Sequence, residues 1–235
     1  MGHYCPAGTG VPEPCPPGTF SNATGNLAAS DCQACLPGWY CASYGLENPT
    51  DECSAGYYCP PGMNTSAPAE YMCTPGHYCG VGSATETACA SGTYQDEFEK
   101  STCKPCPTGF YCDGTIQNDT HCSHGVQNPQ PCPTGHFCPV STKYDVEFGC
   151  PNGTFSDRTM LEVDTDCTLC SPGMYCGSDG LSAPTGECLA GFYCTSGANT
   201  PVPTDGVTGD ICPQGGYCPT GSNTSTPCPP GTYND

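Results

Sequence analysis

Cys35-Leu-Pro-Gly-Trp-Tyr-Cys41 is one statement of a phrase, Cys-x-x-Gly-x-Tyr-Cys, that returns along the whole chain. It stands complete again at Cys53–Cys59, Cys73–Cys79, Cys106–Cys112, Cys132–Cys138, Cys170–Cys176, Cys188–Cys194 and Cys212–Cys218, with Phe137 replacing Tyr once. Half-phrases, Cys-x-x-Gly-Thr-Phe/Tyr without the closing cysteine, start at Cys15, Cys89, Cys150 and Cys228. Such a beat describes a small turn-and-crosslink unit copied many times rather than one globular core. In Cys106-Pro-Thr-Gly109 and Cys132-Pro-Thr-Gly135 proline is second and glycine fourth, which reads as a type I β-turn begun at the cysteine. The aromatic two residues past the glycine, from Phe20 and Tyr40 to Tyr217 and Tyr233, is placed to lie over a neighbouring disulfide. Cys-x-x-Gly sites that start at a closing cysteine (Cys5, Cys59, Cys79, Cys194, Cys218) lack it, so the aromatic belongs to the opening turn.

Composition agrees with a stapled chain. The 235 residues include 25 cysteines, 31 glycines and 27 prolines, and only 36% are hydrophobic even with cysteine counted. No run shows helical apolar periodicity or approaches the length of a membrane span. The expected fold is a set of small disulfide-rich repeats, an elongated rod of short irregular β-strands and turns with almost no helix. Its stability should come mainly from crosslinks, each about 2–4 kcal/mol for a loop of roughly 10–20 residues. Disulfides at this density require an oxidising compartment, which places the chain outside the cell or at its surface by way of the secretory pathway. Sequons at Asn22, Asn64, Asn118, Asn152 and Asn223 fit that route and lead us to expect N-linked glycans. A net charge of −19 argues against nucleic acid and anionic membrane as partners. The carboxylates are scattered, not set at EF-hand spacing, so a solvated surface is the first reading and weak calcium binding the second.

Longer units appear when the half-phrases serve as markers. Residues 1–14 read as the tail of a preceding repeat, because Met1-Gly-His-Tyr-Cys5 matches the back of the phrase. Units then run over 15–88, 89–149 and 150–227, and 228–235 reads as the start of another. The middle unit is shorter, and Cys122-Ser-His-Gly125 reads as a degenerate phrase within it.

Two disulfide schemes fit the spacing. One joins each closing cysteine to the next opener: Cys5–Cys15, Cys41–Cys53, Cys59–Cys73, Cys79–Cys89, Cys112–Cys122, Cys138–Cys150, Cys176–Cys188, Cys194–Cys212 and Cys218–Cys228. The other joins half-phrase cysteines to the following Cys-x-x-Cys, as Cys15–Cys32, Cys89–Cys103 and Cys150–Cys167. An odd total leaves at least one cysteine without an intrachain partner, at a cut end or bonded to another chain. The Cys-x-x-Cys pairs (Cys32/Cys35, Cys103/Cys106, Cys167/Cys170) lack the helix N-terminus that would make them redox-active, and a structural role is expected. Crosslinking is also favoured over zinc at His121-Cys122-Ser123-His124. No catalytic grouping stands out, so the chain is not expected to be an enzyme or to carry a cofactor.

The run Cys15-Pro-Pro-Gly-Thr-Phe20, followed by Cys32-x-x-Cys35-x-x-Gly-x-Tyr40, resembles the ephrin-receptor-like cysteine-rich repeat, and more distantly tumour-necrosis-factor-receptor and EGF-like modules. The full phrase is far more frequent here than in a receptor's single copy. The resemblance implies a rod-like stapled architecture and no catalysis. The expected function is an extracellular structural protein, a glycosylated disulfide-stapled rod or filament subunit acting as stalk, matrix, coat or surface appendage such as a flagellar hair. It would associate with itself end to end or laterally and with other extracellular proteins. The alternative is a ligand-binding receptor or adhesion ectodomain, whose best candidate contacts are Cys122–Gln130 and Ser196–Asp210.

Overall fold

A computed structural model describes residues 1–115 and 125–233. The chain divides into two compact units, residues 1–104 with 114–128 and residues 105–113 with 129–235. Both are built from two- or three-residue strand pairs and turns, with three-residue 3₁₀ turns at Ala29–Asp31, Ala69–Tyr71 and Asp164–Asp166 as the only helix among the described residues. The scarcity follows from the sequence: each rung holds one aromatic and one glycine turn, which leaves no room for a longer element.

Each phrase folds as a rung, and its turn begins one residue later than the sequence suggested. The Thr19 N–H donates to Pro16 O at 3.1 Å, and the same bond recurs from Trp39 to Leu36, from His77 to Thr74 and from Thr154 to Pro151. Proline or its substitute is therefore the first residue of the turn and glycine the third, with φ +85° at Gly18. A positive φ at the third position is the type II requirement, which excludes the type I reading. It also explains the threonine of the half-phrases, whose hydroxyl donates back across the turn, from Thr19 to Pro16 O at 2.6 Å and from Thr154 to Pro151 O at 2.6 Å. The loop leaving each rung repeats the device, with left-handed residues at Gly45, Gly62, Gly82, Gly180, Gly197 and Gly221. Glu99, Ser141 and Met160 occupy the same place without being glycine, at φ 60°, 66° and 64°.

Successive rungs within a unit are joined by the same four backbone hydrogen bonds. Between the Cys15 and Cys35 rungs, Gly18 O accepts from Cys35 N at 2.8 Å and Gly18 N donates to Cys41 O at 2.8 Å. Gly45 N donates to Cys15 O at 2.9 Å, and Ser21 N donates to Leu46 O at 2.9 Å. The Cys150 and Cys170 rungs repeat it through Gly153, Cys176, Gly180 and Leu181 at 2.8–3.0 Å. Antiparallel pairs flank each joint: His3–Tyr4 with Glu13–Pro14, Thr19–Phe20 with Gln33–Ala34, Trp39–Tyr40 with Asp51–Glu52, and His77–Tyr78 with Thr87–Ala88 in the first unit. The second unit pairs Phe110–Tyr111 with Gln130–Pro131, Thr154–Phe155 with Thr168–Leu169, Met174–Tyr175 with Gly186–Glu187, Phe192–Cys194 with Gly209–Ile211, and Gly216–Tyr217 with Thr226–Pro227. Single bridges, Tyr57 to Met72 and His136 to Gly149, stand in for a pair at two joints.

The interior is made of cystine. Apart from Phe20, Val126, Leu161 and Ala198, every buried hydrophobic residue among those described is a cysteine. The phrase aromatic leans on the next rung's crosslink, as the sequence suggested. Phe20 packs on Cys35 and Cys41 with Leu46, Phe137 on Cys150 and Cys167 with Leu161, and Tyr175 on Cys188 and Cys194 with Ala198. Trp39 stays about one-third exposed opposite Glu52, outside this packing.

The turn glycine has no space for a side chain. A Cβ on Gly18 would lie 2.5 Å from Gly62 O, the carbonyl of a loop two rungs on. Gly18→Ala should therefore cost about 2–4 kcal/mol, from left-handed strain and forced displacement together, measurable as a lowered urea midpoint. Met160→Gly should act in the opposite sense. Relief of about 1–2 kcal/mol of left-handed strain exceeds the added chain entropy of about 0.5–1 kcal/mol, so calorimetry should show a higher Tm.

Candidate functional site

The chemistry-bearing residues of this chain are its thiols, its sequon asparagines and its carboxylates. The left-handed glycine folds each complete phrase so tightly that its own two cysteines meet. Cys35–Cys41, Cys53–Cys59, Cys73–Cys79, Cys106–Cys112, Cys132–Cys138, Cys170–Cys176, Cys188–Cys194 and Cys212–Cys218 all bridge a separation of six residues, with Cα atoms 5.8–6.2 Å apart. This corrects the scheme that joined closing cysteines to the next opener. The connection from Cys41 toward Cys53 is instead a hairpin held by backbone hydrogen bonds. The half-phrase cysteines pair across their longer hairpins, Cys15–Cys32, Cys89–Cys103 and Cys150–Cys167, over separations of 17, 14 and 17 residues. Of the remaining candidates, Cys5 is an exposed and Cys228 a partly buried free thiol, while Cys122 lies outside the described residues.

Each Cys-x-x-Cys thus sends its two sulfurs to different partners, Cys32 to Cys15 and Cys35 to Cys41, so it is neither a dithiol nor a closed redox pair. Among the described residues no group of three His, Cys, Asp or Glu side chains is placed to hold a metal ion, and His121, Cys122 and His124 lie outside them. Three residues that the sequence reading passed over take the closing position of the half-phrases: Ser21, Gln95 and Ser156, each 1% exposed or less. Their signal was positional, six residues past the opener. Each organises the loop that follows. Ser21 Oγ accepts from Asn26 Nδ2 at 2.7 Å, Gln95 Nε2 donates to Thr102 O at 2.8 Å, and Ser156 Oγ accepts from Arg158 N at 3.1 Å.

Gly125 corrects the degenerate phrase. It packs against Gly76, and Val126 O accepts from Gln95 N at 3.0 Å. Those are the positions that outgoing loops hold elsewhere, as Gly62 does against Gly18. Gly125 and Val126, in the described part of Cys122–Gln130, therefore stand where an outgoing loop packs on an earlier rung. The other suggested contact, Ser196–Asp210, is engaged within its own unit: Gly197 N donates to Cys170 O at 2.9 Å, Ala198 O accepts from Cys176 N at 2.8 Å, and its far end pairs with Tyr193 and Cys194. Asp205 accepts from Val207 N and Thr208 N at 2.9 and 2.8 Å, and the Thr208 hydroxyl with these amides holds its carboxyl below the ordinary range.

The described sequon asparagines, Asn22, Asn64, Asn152 and Asn223, are all exposed; Asn118 lies outside the described residues. Asn64 and Asn223 share one position, five residues past Cys59 and Cys218. Asn199 holds it too, but Pro201 stands where a sequon needs Ser or Thr. Asn152 differs, since it lies inside the turn of a rung.

Among 23 acidic side chains, Asp96 and Glu97 are paired, with Lys104 donating to both at 2.6 Å and Lys100 reaching Glu97 at 2.7 Å. The two lysines hold the Glu97 carboxyl down to about 2. The bonus from this exposed cluster is thus present near neutral pH and fades as pH falls through about 2, and salt weakens it.

No protein-family model matches the chain, and no curated protein matches it. A density of disulfides such as this is typical of extracellular or secreted proteins. No helix among the described residues is long and apolar enough to cross a membrane. Partial reduction with mass mapping should recover six-residue crosslinked rings such as Cys35–Cys41. A peptide joining Cys41 to Cys53 would overturn the pairing.

Proposed function

We propose that this chain is an extracellular structural protein, a glycosylated rod or filament subunit that serves as stalk, matrix, coat or surface appendage. The observation that carries the reading is the sameness of the joint: within each unit the same four backbone bonds hand one cystine rung to the next. A rung is too small to bury a core, so it gains stability only from its neighbours. The resemblance to ephrin-receptor-like repeats fits an array of this kind, and the flagellar hair of a unicellular organism is one setting for it. Exposed sequons and a net charge of −19 would keep such arrays soluble and spaced. Self-association end to end or side by side would complete the assembly.

Electron microscopy of the full secreted protein tests this. Oxidised material should appear as rods or filaments, which shorten and lose order after mild reduction. Compact monomers without lateral or end-to-end order would overturn the proposal.

A further inference from the structure

We propose that Asn152 is a sequon that folding closes: it can accept a glycan only before its rung joins the next, whereas Asn22 and Asn223 stay open in the folded protein. The inference rests on the reading of this chain as a secreted glycoprotein. In the transfer step the amide nitrogen of asparagine bonds to the anomeric carbon of a polyprenyl-diphosphate-linked oligosaccharide. The sugar–phosphate bond breaks, the polyprenyl diphosphate leaves, and the amide proton passes to a base of the transferase. That enzyme needs the Asn-x-Ser/Thr segment extended, with the third residue's hydroxyl free to engage it.

Asn152-Gly153-Thr154 offers neither once folded. Gly153 is left-handed at φ +84°, and its N–H and C=O are committed to Cys176 O at 3.0 Å and Cys170 N at 2.8 Å. The Asn152 N–H donates to Asp179 Oδ1 at 2.8 Å. The Thr154 hydroxyl is bound to Pro151 O at 2.6 Å, and its backbone pairs opposite Leu169. Gly197 O closes the last side, 2.6 Å from where a Cβ on Gly153 would stand. The Asn152 side chain itself is exposed, so a glycan already attached is compatible with the fold. Except for Pro151, every group in this lock lies downstream, between Leu169 and Gly197. A chain entering the compartment from its N-terminus therefore presents the sequon before the lock exists. Asn22 and Asn223 differ in kind: of their third residues Thr24 is exposed and Ser225 half-buried, and neither segment lies in a rung turn or a strand.

The test compares the full chain, made without glycans and purified, in oxidised and in reduced form. Each is incubated with oligosaccharyltransferase and a polyprenyl-diphosphate oligosaccharide, and occupancy at each asparagine is read by mass spectrometry. Oxidation should slow modification of Asn152 at least about tenfold, because the folded rung must first open. Asn22 and Asn223 should change less than about twofold on the same scale. Equal rates at Asn152 in the two forms, or equal slowing at all three asparagines, would overturn the inference. A Cys150→Ala/Cys167→Ala variant produced in secretory cells supplies a second readout, with a rise in occupancy expected at Asn152 alone. Secreted wild-type protein carrying no glycan would count against the glycoprotein reading only, since the comparison of oxidised and reduced chain still decides the lock.

Discussion

A left-handed glycine stands between the two cysteines of each complete rung, and its peptide groups reach forward to the opening cysteine of the next rung and to its closing position, which is a cysteine in complete phrases and Gln95 or Ser156 in half-phrases. The rest of the architecture follows from that arrangement. In the chain-entropy account a crosslink over six residues contributes only about 2.4 kcal/mol, against about 3.2 kcal/mol for one over 17. Ordering the residues of such a ring costs about 1–2 kcal/mol each, so a single stapled phrase is far from stable. What tips the balance is the joint. Four buried backbone bonds, each about 1 kcal/mol net, and an aromatic face laid on the next cystine are gained only when two rungs meet. An alanine in place of the glycine would strike at both contributions, through its φ and through the carbonyl two rungs away.

The half-phrases show what happens when the closing sulfur is replaced. Their opener is committed across the hairpin, at Cys32, Cys103 or Cys167, and the vacated position is filled by an uncharged polar side chain, serine twice and glutamine once. Burial of Ser21, Gln95 and Ser156 is tolerable because each is hydrogen-bonded within the loop that its long crosslink encloses. In the two loops of 17 residues an aspartate before the far cysteine completes the closure, Asp31 accepting from Leu27 N and Asp166 from Glu162 N. The loop of 14 residues has no such aspartate and instead carries the lysine–carboxylate cluster around Glu97.

Much of this was legible in the sequence. The repeat, the dominance of turns and the aromatic resting on a neighbouring cystine all follow from residue types and spacing, while the long half-phrase pairs were one of two schemes that the spacing left open. The short pairs were missed for a physical reason. A crosslink stabilises more the longer the segment it closes, and a span of six residues becomes reachable only when glycine adopts a positive φ, which residue letters permit without demanding. Placing proline second in a type I turn shifted the reading by one residue and hid this. Gly125 was misassigned because outgoing loops and phrase openers share the spacing Cys-x-x-Gly. Only its packing on Gly76 separates the two roles. Asn152 looked like its fellow sequons because a sequon is defined by three letters, while the turn that engages its threonine depends on a rung assembled from later residues.

Charge sets the final constraint. With four basic residues against 23 acidic ones, the folded chain repels itself, and Lys100 and Lys104 are already engaged by Asp96 and Glu97. A fold held by apolar burial would have little margin against that repulsion, since most of the buried apolar side chains here are cystines. Crosslinks act mainly by restricting the unfolded chain, and their contribution does not depend on ionic strength or on protonation near neutral pH. Backbone bonds between neutral peptide groups share that indifference. Coupling is also short in range, reaching the next rung through hydrogen bonds and the one beyond through the glycine face, so a local defect should stay local. An acidic, sparsely hydrophobic chain can therefore remain ordered because the interactions that order it are covalent or uncharged, and because each is repeated before the effect of the last has faded.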